Sequence, residues 1–220
     1  AIQYTNVNPN LTREGLLKHL DVCMKYDFQA AMIAPCYISL AKDVLKGTGI
    51  QVASTLNFPQ ANDTLDMKLA ALKEMIKTGV DQFDFPPNPG LLIGGEEKAY
   101  FEEMKQIVEV AHASGVIVKS MLEFGFLNEE QKKKAAQLAC EAGIDWVKQS
   151  SGWGVGGCAA TVEDVKILKE NISLPCRVKV SGKVNSLEKM KMMFEAGAEL
   201  VGTSSGPEII EGLIGDPNAY

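Results

Sequence analysis

Histidine is nearly missing from this chain: 220 residues carry two, His19 and His112, and both fall inside helical patterns. A nucleophile–His–carboxylate triad or a His-rich metal site therefore has no imidazole to build on. The five cysteines (Cys23, Cys36, Cys140, Cys158, Cys176) are odd in number, lack CxxC spacing and sit among apolar neighbours. They suggest neither a disulfide framework nor a zinc site, and fit reduced thiols in the cytoplasm. No apolar run is long enough to span a membrane, and Ala1-Ile-Gln-Tyr4 shows neither a basic nor an apolar leader pattern, so a soluble, cytoplasmic protein is expected. The net charge of −6 speaks against nucleic acid as a partner. A GxGxxG after the first strand, the dinucleotide fingerprint, is absent. No linker or low-complexity tract divides the chain, so residues 1–220 read as one domain, with 214–220 a mobile tail.

What is present is a regular alternation of short apolar runs and amphipathic segments. Strands are expected at Gln3–Val7, Gln29–Ala34, Gln51–Asn57, Asp81–Phe85, Val116–Glu123, Asp145–Lys148, Arg177–Val180 and Glu199–Thr203. Helical periodicity marks Thr12–Tyr26, Ile38–Leu45, Asp63–Thr78, Lys98–Ala113, Glu129–Ala142, Val162–Lys169, Ser186–Ala196 and Pro207–Leu213. Gly79, Gly115, Gly143 and Gly197 each follow a helix and precede a strand, the position where a left-handed residue ends a helix. Repeated βα units need parallel strands and right-handed crossovers. Eight of them in a chain of this length predict an α/β fold, a single-domain TIM (β/α)8 barrel, over an open doubly wound sheet.

In such a barrel the active site forms at the C-terminal ends of the strands. Those ends carry Thr5, Asn8, Asn57, Asp84, Asn88, Lys119, Glu123, Lys148 with Ser151, Lys179 with Ser181, and Ser204 with Ser205. Lys148 ends the apolar strand of Gly143-Ile-Asp-Trp-Val-Lys148 and is either its solvated last residue or a desolvated amine placed for chemistry. Lys179 ends the next strand. Adjacent strands lie about 4.8 Å apart, and two ammonium groups that close depress each other's pKa. A lysine near its usual pKa is about 0.04% free amine at neutral pH, whereas one near 7.5 is about 25% free. Imine-forming catalysis needs that gain. The competing reading is two phosphate-binding lysines, or two that pair separately with Asp84 and Glu123. Those two carboxylates lack a third, so no metal is expected. Val178-Lys-Val-Ser-Gly-Lys183 and Gly202-Thr-Ser-Ser-Gly206-Pro207 end the last two strands, where TIM barrels often hold phosphate; together they favour a phosphate site over two capped turns.

Taken together these segments resemble the class I, Schiff-base deoxyribose-phosphate aldolases, over nearly the whole chain and in motif order. Val147-Lys-Gln-Ser-Ser-Gly152 looks like the segment with the imine-forming lysine, Val178-Lys-Val-Ser-Gly182 like that with the second lysine, and Asp81-Gln-Phe-Asp84 like that with the catalytic aspartate. Asn57-Phe-Pro59, Lys119 with Glu123-Phe-Gly125, and Gly202-Thr-Ser-Ser205 also match. The resemblance implies reversible cleavage of 2-deoxy-D-ribose 5-phosphate to acetaldehyde and D-glyceraldehyde 3-phosphate, with no metal or organic cofactor. It implies catalytic roles for Lys148, Lys179, Asp84 and the terminal Tyr220. Substrate binding falls to Thr5, Asn8, Lys119, Ser151, Gly152, Gly182, Lys183, Gly202, Ser204 and Ser205. Gln3, Met32, Gln149 and Lys183 stand where the family usually has Asp, Cys, Thr and Gly. They leave open a related Schiff-base enzyme for another phosphorylated sugar, or a sugar-phosphate-binding barrel without catalysis. A homodimer or other homo-oligomer is also considered.

Overall fold

The computed structural model describes residues 1–217; the expected catalytic Tyr220 lies outside the described residues. Eight strands, β1 (Ile2–Asn6), β2 (Ala30–Ile33), β3 (Gln51–Thr55), β4 (Gln82–Phe85), β5 (Ile117–Met121), β6 (Trp146–Lys148), β7 (Arg177–Ser181) and β8 (Leu200–Thr203), pair in sequence order. All pairings are parallel and β1 closes on β8, so the sheet is a barrel. This is the expected TIM architecture.

The helices around it are α1 (Arg13–Tyr26), α2 (Ile38–Val44), α3 (Leu65–Lys77), α4 (Pro89–Ile93), α5 (Glu97–His112), α6 (Glu129–Glu141), α7 (Val162–Glu170), α8 (Leu187–Glu195) and α9 (Gly206–Glu211). Their starts are chemically marked. Thr12, Thr64, Asn128, Thr161 and Ser186 each accept a hydrogen bond from a first-turn N–H, and Asn128 with Gln131 forms a capping box. Gly79, Gly115, Gly143 and Gly197 all have positive φ, as their place after a helix predicts. The short α4 lies outside the helical stretches expected from periodicity. Pro89 takes the first helical position, where no N–H is needed, and the Asn88 side chain caps Gly90.

Alternation along the strands sorts side chains into two environments. Phe83, Phe85, Val118, Val147, Val178, Val180 and Val201 join Ile107 and Leu168 from the helices in one large buried cluster. Each such side chain contributes roughly 1.5–3 kcal/mol by leaving water. The intervening positions, Gln82, Asp84, Lys119, Lys148 and Lys179, are buried and polar. Stability therefore resides in the layer between barrel and helices, and the other face of the sheet is given over to polar chemistry. Among the described residues no helix is long and apolar enough to cross a membrane.

At the end of the chain, Ile214 bridges Ser186, and Gly215 exchanges hydrogen bonds with Asn185. Both histidines have structural surroundings: His112 contacts Asp145 at 2.9 Å, and His19 stacks on Tyr4 with ring centroids 4.4 Å apart. Burial lowers the His19 pKa to about 4. The unfolded chain therefore takes up this proton first, and stability is lost as pH falls from about 6.5 toward 4, by on the order of 3 kcal/mol. Urea unfolding across that range is expected to show the loss, and His19→Phe to flatten it.

Candidate active site

Asp84 on β4 meets three lysines. Its Oδ2 lies 2.7 Å from Lys179 Nζ and 3.1 Å from Lys148 Nζ, and its Oδ1 lies 3.2 Å from Lys119 Nζ. The register explains the convergence: Asp84 pairs with Lys119 and Lys148 with Lys179 across adjacent strands, all at positions of one alternation phase. All four side chains are essentially removed from solvent, at 2% exposure or less. Glu123, which sequence reasoning offered as a partner for one lysine, goes elsewhere. Its carboxylate accepts from the Ser151 N–H at 2.9 Å and the Ser150 hydroxyl at 3.3 Å, and burial raises its pKa.

One buried carboxylate is shared by three buried amines. Burial disfavours the charged form of Asp84, but the ammonium charges of Lys179, Lys148 and Lys119 outweigh it and hold the carboxyl well below its usual range. Asp84 stays ionised. Burial in turn lowers the pKa of Lys179 well below normal, and lowers that of Lys119, more than attraction to Asp84 restores them. Asp84 is thus a fixed anion beside two amines, Lys119 and Lys179, that hold their protons weakly.

Further contacts fix the amines. Lys179 Nζ donates to Gln3 Oε1 at 2.6 Å, and Lys148 Nζ to Ser181 Oγ at 3.3 Å. Gly202 on β8 leaves room for two side chains of β7: a Cβ there would meet Ser181 Oγ at 2.5 Å and Lys179 Cε at 3.1 Å. A small cavity of about 10 Å³ adjoins the cluster, walled by Thr5, Val7, Met32, Thr55, Phe58 and Met121. That is near the least space a water needs. The loops over it are braced from behind: buried Lys68 donates to the Ala61 carbonyl at 2.6 Å and pairs with Glu103 at 2.9 Å, and Glu103 accepts from the Asn88 N–H.

The remaining sequence candidates separate into two groups. Thr5 borders the cavity, while Gly152 and Gly182 adopt left-handed backbone that other residues rarely tolerate. Gly182 also packs against the Cys158 carbonyl, where a Cβ would come to 2.5 Å. Ser204 is half-buried and Ser205 is buried, its N–H bonded to the Thr203 hydroxyl. Ser151 is buried and directs its hydroxyl to the Trp153 carbonyl. Asn8 is exposed with its amide on Asn6, and Lys183 is exposed with its ammonium on the Pro217 carbonyl. Ser181 was expected at its strand end, and Gln3 and Met32 were noted only as departures from the family; Phe58 and Met121 also border the cavity and were absent from the candidates. Counting by twos from Thr5 and Lys179 points to Gln3 and Ser181; nothing local singles out Phe58.

No protein-family model matches the chain. A deoxyribose-phosphate aldolase from Thermococcus gammatolerans is 38% identical over 213 residues, covering 96% of this chain and 94% of that protein. The chain belongs to the deoxyribose-phosphate aldolases. The family's enzyme from Staphylococcus carnosus is likewise 38% identical, over 216 residues, 98% of this chain and 96% of its own. Among solved structures, the tetrameric deoxyribose phosphate aldolase from Aeropyrum pernix superposes with a TM-score of 0.87 at 26% identity, over 96% of this chain and 88% of that one. QR15, described as an aldolase, gives 0.88 at 27% identity, over 95% and 92%. The chain is an aldolase, a carbon–carbon lyase.

Removing the single anion tests the charge argument. Asp84→Asn leaves the amines without compensation, so the expected cost is on the order of 3–5 kcal/mol at neutral pH. Urea unfolding at pH 7 and pH 10 should show a smaller cost at the higher pH, where Lys119 and Lys179, with their lowered pKa values, carry less charge. An equal cost at both would contradict it.

Proposed function

We propose that this aldolase cleaves 2-deoxy-D-ribose 5-phosphate reversibly through an imine on Lys148. The observation that carries this reading is the convergence of three buried amines on Asp84. The Lys148 amine attacks C1 of the open-chain sugar, and loss of water gives an iminium. A base takes the C3 hydroxyl proton as the C2–C3 bond breaks, and the electron pair passes to the iminium nitrogen. Glyceraldehyde 3-phosphate leaves, and the enamine is protonated at C2. Water then releases acetaldehyde and restores the amine. Storing the electron pair on nitrogen avoids a bare carbanion, which is what covalent catalysis supplies here.

Lys179 and Asp84 move the protons. An amine whose proton is weakly held and which touches an ionised carboxylate can take and return a proton during the reaction. Lys119 fixes the other Asp84 oxygen. The phosphate falls to the left-handed Gly152 and Gly182 and to Ser204 and Ser205, at the ends of β6, β7 and β8. The Val7, Met32, Phe58 and Met121 wall suits the methyl end of the donor, and admitting a whole sugar phosphate requires this wall to shift. Gln149 and Lys183 had left another sugar open. Gln149 donates to the Ser181 carbonyl and Lys183 to the Pro217 carbonyl, contacts within the chain that are compatible with the family's substrate. Free thiols at all five cysteines support a reducing compartment such as the cytoplasm.

Borohydride reduction in the presence of acetaldehyde, read by peptide mass, is expected to mark Lys148. A barrel that only binds sugar phosphates would give no adduct there, which would overturn the imine mechanism. Lys179→Leu is expected to keep the adduct while lowering kcat for deoxyribose 5-phosphate by roughly 100-fold or more, the range of a lost proton-transfer group.

A further inference from the structure

Beneath the lysine cluster lies a second polar layer to which the reaction above assigns nothing. Gln3 on β1 is fully buried, and its Oε1 is 2.6 Å from Lys179 Nζ. Its Nε2 points the other way, donating to Gln82 Oε1 at 2.6 Å and to Gln29 Oε1 at 2.9 Å. Those two amides donate in turn to Gln51 Oε1, at 2.7 and 2.8 Å. Four glutamines drawn from β1, β3, β4 and the residue before β2 thus form one hydrogen-bonded floor.

We propose that Gln3 is a positioning residue of the aldol reaction: clamped from below by Gln29 and Gln82, it aims the Lys179 amine while adding no charge to the cluster. This rests on the imine mechanism proposed above. The direction of each bond follows from donor and acceptor chemistry. A lysine nitrogen presents donors, so the Gln3 oxygen must face it and the Gln3 NH₂ must face down, where both its N–H groups find carbonyl oxygens. Flipping the amide would set donor against donor and leave buried groups unpaired, at a cost of about 1–3 kcal/mol each.

Two consequences follow for Lys179. A neutral amine has two N–H bonds and one lone pair. Asp84 Oδ2 at 2.7 Å and Gln3 Oε1 at 2.6 Å accept both N–H bonds, which directs the lone pair to the one remaining corner. Lys179 borders the catalytic cavity, so that corner belongs to a group placed to take a proton. The second consequence is electrostatic. The titratable groups facing Lys179 are Asp84 from β4, Lys119 from β5 and Lys148 from β6. From β8 it meets Gly202, and Gln3, Met32 and Thr55 complete the surroundings from β1, β2 and β3 without titrating. A carboxylate in place of the Gln3 amide would double the negative charge at Lys179. An opposite charge that close raises an amine's pKa by about 1–3 units. The neutral amide therefore keeps Lys179 a usable base at lower pH.

The test is the pH dependence of kcat/KM for deoxyribose 5-phosphate cleavage in Gln3→Glu and Gln3→Met, with borohydride trapping at Lys148 in parallel. Gln3→Glu is expected to move the acidic limb upward by about one pH unit or more, lowering activity at pH 7 roughly tenfold and recovering it at higher pH. Gln3→Met, which removes the acceptor without adding charge, is expected to lower kcat roughly tenfold with KM and the limb in place. A Gln3→Glu enzyme that folds but keeps the wild-type limb overturns the proposal. Should that variant not fold, Gln3→Met decides alone, and wild-type kcat in it is the contradicting result. Failure of wild-type enzyme to trap at Lys148 would instead remove the imine mechanism, which separates the two readings.

Discussion

Among the described residues Asp84 is the carboxylate that pairs directly with three buried amines, and much of the site follows from that crowding. The buried Asp84 carboxylate lies within 3.2 Å of the amines of Lys119, Lys148 and Lys179 together. Such a charge set is expensive to bury unless some of the amines give up their protons. The same burial that strains the interior weakens the hold of Lys119 and Lys179 on their protons. Chemistry and burial penalty are here one arrangement seen from two sides.

The fold tolerates this because its cohesion lies elsewhere. The large apolar cluster packs the outer face of the sheet against the helices, so the inner face is released from the duty of supplying hydrophobic stability. Inside, a small apolar group of Ala30, Met32 and Ala53 is accompanied by the glutamine floor and the lysine cluster. Every floor amide is held by another amide, so a polar layer is buried without adding charge. The Lys68–Glu103 pair does a related job behind the mouth, where one buried ion pair fixes the backbone of two loops.

The barrel and the catalytic strand ends were legible because both rest on short-range patterns. Gly79, Gly115, Gly143 and Gly197 mark helix ends, and Lys148 and Lys179 stand out as charges closing apolar strands. What stayed hidden depended on which residues meet across the barrel. Lys119 was expected near the mouth, yet that all three lysines share Asp84 while Glu123 caps the Ser150–Ser151 turn is a property of register. Gln3 was noticed as a departure from its family, but glutamine at the start of a strand usually faces solvent, and its partners are distant in sequence. Lys183 was conspicuous in the sequence, but its contact was not. It occupies a phosphate-type turn, but its exposed side chain reaches the Pro217 carbonyl.

The central claim is that the buried amines are under-compensated, and their own titration tests it most directly. Isotope-labelled lysine followed by NMR against pH, with Lys119→Met and Lys179→Met used for assignment, reports each amine separately. The account predicts that Lys119 and Lys179 both titrate below the usual lysine value of 10.5, with Lys179 well below it. Titration of both near 10.5 would mean that Asp84 and its surroundings compensate them fully, and would contradict the account.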